Sequence, residues 1–192
     1  MKKIKGVSNI EYLAKGSRGV VYTGRYKGRK VAVKMKNPDS EAKKRIQNEI
    51  IFLKIVNAYG VGPKLLLEGR GYFVYEFQEG VYFEDWIREH MCIKKVFNAL
   101  LRQARVLDLL GIDKEEFHRP LKNVIIKKGG VPVLIDFERC RYSERPKNVT
   151  QLMQFAMALG LAKLNKRAIG ILRKYKGDMS EKNFGRVVSL LR

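Results

Sequence analysis

Short apolar stretches punctuated by glycine fill the first third of the chain. Ile10–Leu13, Val20–Tyr26 and Lys30–Met35 are rich in Val and Tyr and are separated by Gly16, Gly19, Gly24 and Gly28, which predicts strands joined by tight turns. The period then changes. Ile46, Ile50, Leu53 and Val56 recur at helical spacing, so a helix is predicted over 41–57, with Asp39 or Ser40 as its cap. Leu65–Leu67 and Gly71–Phe77 predict two more strands. Beyond Gly80 the pattern is helical, over Phe83–His90 and over Lys94–Leu110 with Gly111 as a stop. A hairpin of Asn123–Ile126 and Val131–Ile135 turns at Gly129 and Gly130. Three helices are predicted to finish the chain, over Thr150–Leu164, Arg167–Tyr175 and Ser180–Leu191, with Ser180 an N-cap and Gly177 a stop. The expected fold class is α+β: an antiparallel sheet with one helix over 1–78, then a mostly helical part over 79–192, in a single domain.

The 192-residue length allows one good core or two small lobes. A composition of 45% apolar and 31% charged residues is that of a folded chain, not a disordered one. No segment approaches the roughly 18 unbroken apolar residues of a membrane span, and the basic start, Met1 to Lys5, lacks the apolar core of a signal peptide. A cytoplasmic location without a membrane partner is expected. The only cysteines, Cys92 and Cys140, form no CxxC or Cys/His cluster, so neither a disulfide framework nor a zinc site is encoded. Charge changes the picture more. Forty Lys+Arg against 19 Asp+Glu leave +21, spread along the whole chain. Such a field favours polyanions, which makes RNA or a ribonucleoprotein a candidate partner. Ordinary solvated lysine of a thermophilic surface is the other reading.

The candidate chemistry begins in KGSRGVVYTGRYKGRKVAVK. Gly16 and Gly19 would let the backbone of a turn, including Ser17, approach phosphates closely. Val21 and Val33 would offer apolar faces to a base, and Lys34 an ammonium to the phosphates. This stretch resembles the Gly-rich loop and VAIK lysine of the protein kinases. That resemblance implies further parts. Glu49 lies on the same side of its helix as Ile46 and Leu53 and is the expected partner of Lys34. YFVYEFQEG is similar to the segment connecting the two kinase lobes, in which Glu76 and Phe77 would offer backbone groups to adenine. Asn123 and Asp136, 13 residues apart at the ends of NVIIKKGGVPVLIDFE, stand where kinases hold metal. ATP and Mg²⁺ are the implied cofactors, and the implied fold is a two-lobe, protein-kinase-like one with a reduced C-lobe.

Departures from the kinase pattern are as specific as the agreements. Ala14 replaces the first loop glycine, and Glu138 replaces the glycine of DFG, which argues against a kinase-style flip of that segment. Counting back five residues from Asn123 reaches His118, not the usual aspartate, and anchoring on His118-Arg119 places Pro120 there instead. Among Asp113, Glu115, Glu116 and His118, the favoured substitute is Glu116, with His118 next. No APE-like segment or long activation loop follows Asp136. In this economy the chain is similar to the RIO kinases, to the kinase subunit of the archaeal KEOPS complex, and most of all to a group of archaeal predicted serine/threonine kinases of this size. The resemblance implies phosphoryl transfer from ATP to an unknown protein substrate, to the chain itself, or to water. A nucleotide-binding pseudokinase acting as a basic RNA- or ribosome-associated module is the alternative. Lys34→Ala is expected to weaken phosphate recognition and to leave the fold intact.

Overall fold

The computed structural model describes residues 4–16, 18–39, 45–90 and 93–191. Ser17, Ser40 and Cys92 therefore lie outside the described residues, as does the predicted start of the first helix over 41–44. The chain divides into two compact units: residues up to Gln78 together with Asp136–Arg139, and Glu79–Ile135 together with Cys140 onward.

The first unit is built on a five-stranded antiparallel sheet in the order β1-β2-β3-β5-β4. Its strands are β1 (Val7–Lys15), β2 (Gly19–Tyr26), β3 (Arg29–Lys36), β4 (Leu65–Gly69) and β5 (Tyr72–Glu76). Val31, Val33 and Val74 alternate along adjacent central strands and pack with Ile4 into a core on one face. Ala14, in place of a loop glycine, sits in β1 opposite Val21, past an irregularity in the register, and is not among the residues with positive φ. Helix α1 (Arg45–Asn57) buries Ile46, Ile50, Leu53 and Val56, and Glu49 shares that buried face. The helix start that Asp39 or Ser40 is predicted to cap lies outside the described residues; the Asp39 carboxylate pairs with Lys15 at 2.6 Å.

The second unit is mainly helical. Its elements are β6 (Val81–Tyr82), α2 (Phe83–Glu89), α3 (Lys94–Leu109), β7 (Ile112–Asp113), β8 (Val124–Lys127), β9 (Val131–Leu134), β10 (Arg141–Tyr142), α4 (Asn148–Ala158), α5 (Lys166–Gly177) and α6 (Glu181–Val188). Phe83, Phe97 and Phe155 form a ring cluster, with Phe83 and Phe97 centroids 5.8 Å apart and Phe97 and Phe155 6.1 Å apart. Helix α4 ends at Ala158, earlier than the predicted Leu164. Gly160 adopts φ +76°, its amide donates to Met157 O and the Leu161 amide donates to Ala156 O. These two bonds are the Schellman stop, which a glycine past the last turn permits. Gly177 is the last helical residue of α5, whose end comes at Asp178.

One buried carboxylate ties three of these helices together. Asp108 of α3 accepts from the Asn148 amide (2.9 Å) and Nδ2 (2.8 Å), from the Val149 amide (3.2 Å) and from the Tyr175 hydroxyl (3.0 Å). It thereby satisfies the start of α4, whose first amides have no partner inside the helix. Burial pushes its carboxyl up to about 6, against the pull of these four donors. Among the described residues no helix is long and apolar enough to cross a membrane.

Candidate active site

Lys34 is carried by a central strand. In β3 it lies opposite Val21 of β2 on one side and Phe73 of β5 on the other. Its ammonium is buried, 2.6 Å from Glu49 Oε2, 3.0 Å from Asp136 Oδ1 and 3.5 Å from Glu138 Oε2. Burial alone would strip the proton, but the three carboxylates outweigh it and hold Lys34 charged well above the ordinary lysine range. Glu49 is pushed up to about 6 by burial and by the neighbouring Asp136 charge, with Lys34 pulling the other way.

Asp136–Arg139 belongs to the same unit and is held there by α1. The Phe137 amide donates to Glu49 Oε1 (3.2 Å), and the Glu138 carbonyl accepts from Asn48 Nδ2 (2.9 Å) and Arg45 Nη1 (3.2 Å). Phe137 itself is buried. Glu138, standing where the resemblance has glycine, is buried and gives its other oxygen to Arg18 at 2.9 Å. Asp136 takes φ +62°, a left-handed conformation that aspartate tolerates better than most residues and that recurs at functional positions.

The turn that carries Gly16 and Gly19 is closed by the Gly16 amide donating to Gly19 O at 2.8 Å. Asn37 pins it, donating from Nδ2 to Gly16 O (3.2 Å) and from its amide to Arg18 O (3.0 Å). At Gly19 a Cβ would stand 2.9 Å from Lys34 Cε and 3.3 Å from Met35 O, so glycine is what lets this backbone lie against the lysine. Val21 is half-buried beside Lys34 in the register. Glu76 and Phe77 close the unit. The Glu76 amide donates to Lys64 O (2.9 Å), the Phe77 amide to Lys30 O (3.5 Å), and the Glu76 carbonyl accepts from Gln78 Nε2 (2.9 Å). Those three backbone groups, which the sequence offers to an adenine edge, are engaged within the unit.

In the second unit Asn123 directly precedes β8, and its Nδ2 donates to Glu116. With the amide nitrogen so used, the Oδ1 lone pairs are the part of Asn123 suited to a cation. Lys114 is almost wholly buried, with Nζ 3.9 Å from Glu116 Oε2. Asp113 is buried and accepts the Glu115 amide at 3.1 Å, while Glu115 pairs with Arg141 at 2.9 Å. His118 is exposed, its Nδ1 3.3 Å from Glu115 O. Of the candidates for the missing aspartate, Glu116 alone touches Asn123 in the contacts described here.

Glu49, Asp136 and Glu138 each place one carboxylate oxygen within 4.8 Å of the others. Such hard oxygen donors suit Mg²⁺, which keeps waters and uses one or two carboxylates. The Lys34 ammonium already sits among them, and Asp136 is the most exposed of the three.

Sequence reasoning picked out Lys34, Glu49, Asn123, Asp136 and Glu116. It missed Arg18, Asn37, Asn48 and Lys114. Asn37 lies just past a predicted strand and Asn48 is a polar position inside the predicted helix, so neither carries an apolar periodic signal, and the two cations are lost among forty. No protein-family model matches the chain, and no curated protein matches it.

Proposed function

We propose that this chain is an atypical ATP- and magnesium-dependent serine/threonine kinase with a reduced, two-lobe kinase-like architecture. The carrying observation is the buried Lys34–Glu49 pair with Asp136 Oδ1 3.0 Å from the same ammonium. A lysine so placed is costly as a structural device and useful as a phosphate clamp. In this reading Gly16, Ser17 and Gly19 cover the phosphates and Lys34 leaves Asp136 to hold them. Glu49 fixes Lys34, Asp136 would hold magnesium, and the resemblance assigns Asn123 the same role. The ion supplies charge neutralisation on the phosphates. Glu116 orients the acceptor hydroxyl or water, with Lys114 and Asn123 setting its carboxylate. Phosphoryl transfer passes through a loose transition state in most analyses, so positioning outweighs proton abstraction and the absent aspartate is not fatal.

The charge of +21 favours a second activity of the same molecule, binding of RNA or a ribonucleoprotein, which is also what a pseudokinase of this sequence would retain.

Calorimetric titration with ATP tests the first reading. Wild type is expected to bind ATP with Mg²⁺ and at least about tenfold more weakly with EDTA, because the phosphate charge then meets Asp136 and Glu138 unneutralised. Binding that ignores Mg²⁺ removes Asp136 from the metal role.

A further inference from the structure

Helix α5 has a divided surface. Ala168 and Tyr175 are buried, and the Tyr175 ring lies 6.2 Å from Phe184 of α6. At 100° per residue, Lys166, Gly170, Arg173 and Lys174 fall away from that side and Arg167 on its flank, and the four cations among them are all exposed. They span about 12 Å along the axis.

The surrounding charge does not cancel them. From Lys163 to Lys176 there are six cations and no acid. Of the two acids that follow, Glu181 is paired with a cation, and Asp178 keeps its charge but stands past the end of α5. Asp178 accepts from the Ser180 amide and hydroxyl and from Asn183 Nδ2, and Glu181 pairs with Arg105. Beside the first turn lies a cleft of about 190 Å³ lined by Lys163, Asn165, Arg167, Ser189 and Leu190. It has room for about six waters, or for a phosphate group between two cations.

We infer that the exposed face of α5 is an RNA-binding surface that grips the phosphate backbone without reading bases. The inference rests on the RNA reading above and gives it an address. Between Lys166 and Lys174 the face presents Lys, Arg and Gly and no Asn, Gln or aromatic side chain, so it lacks adenine-reading amides and stacking rings, and its cations, which could read guanine in a DNA major groove, are shut out of the deep, narrow major groove of RNA. Phosphate contact by shape is what remains, as in recognition of duplex RNA. A helix lying on a bilayer would need an apolar face beneath the cations; Ala168 and Tyr175 are internal, and Ile169 alone among the large apolar side chains of α5 is exposed.

The test is binding of a duplex RNA of about 20 base pairs, measured between about 50 and 200 mM salt. The stripe variant is Lys166→Gln/Arg167→Gln/Arg173→Gln/Lys174→Gln. The control is Arg25→Gln/Lys27→Gln/Arg29→Gln/Lys128→Gln, four exposed cations elsewhere with the same change in net charge. Glutamine keeps helix propensity near that of Lys and Arg, so the stripe variant should fold. The single variants Arg173→Gln and Lys174→Gln repeat the test at lower risk.

Wild type is expected to bind with a steep salt slope. The stripe variant should flatten that slope by about 3 to 4, each single variant by about 1, and the control by less than about 1. ATP turnover should be the same in all of them. No RNA binding by wild type refutes the RNA reading itself. Binding by wild type with equal slopes in stripe and control variants overturns the assignment to α5 alone. Tighter binding to a DNA duplex, or to vesicles containing phosphatidylserine, overturns the choice of RNA.

Discussion

Lys34 is the residue on which binding and stability meet. The sequence suggests that Lys34→Ala spares the fold, since Lys34 would serve charge neutralisation and not packing. The geometry corrects this: removing the ammonium leaves Glu49 buried without its cation, while Glu138 keeps Arg18. Lys34→Ala should therefore cost about 3 kcal/mol of unfolding free energy as well as ATP affinity. Lys34→Met/Glu49→Leu, which removes both charges, should recover most of the stability and none of the affinity. Chemical denaturation of the three proteins checks this, and a Lys34→Ala protein as stable as wild type contradicts it. The acceptor side makes a second prediction at this scale. Glu116 contacts Asn123 and stands near Lys114, whereas His118 is exposed. Glu116→Gln should lower turnover at least about tenfold and His118→Ala less than about threefold. The reverse order in steady-state rates would transfer the role to His118.

At the scale of elements, the strands around Lys34 and the inward face of α1 were readable because Val and Tyr cluster between glycine turns in the former and Ile, Leu and Val recur at helical spacing in the latter. Glu49 could be placed for the same reason. The two-residue strands β6, β7 and β10 were not readable, since pairs such as Arg141 opposite Asp113 exist only through tertiary pairing. The end of α4 was hidden because Gly160 lies inside an apolar stretch that looks continuous. Lys114 was hidden because burial is what singles it out. Asp108 was hidden too, yet it joins α3, α4 and α5, and it makes stability depend on pH. Its folded carboxyl titrates near 6, above the ordinary value of 3.8. Folding therefore takes up a proton there. The stabilisation is complete below about pH 4, is lost as pH rises through about 6, and amounts to about 3 kcal/mol. Unfolding free energies between those limits should fall for wild type relative to Asp108→Asn. A pH-independent difference between the two would show that the four donors, not burial, control Asp108.

For the whole molecule, Lys34, Glu49 and Asp136 belong to one compact unit and Glu116 and Asn123 to the other. The high charge bears on partners, not on chemistry, so added salt should weaken RNA binding far more than the turnover of saturating ATP. The most direct measurement is transfer of the γ-phosphoryl group from labelled ATP, to protein or to water, by wild type and Asp136→Ala at saturating Mg²⁺ and ATP. The account predicts slow, magnesium-dependent transfer by wild type and a loss of at least about a hundredfold in Asp136→Ala, because the ion acts mostly in the transition state. Equal rates for the two proteins, or no transfer by wild type, would contradict it.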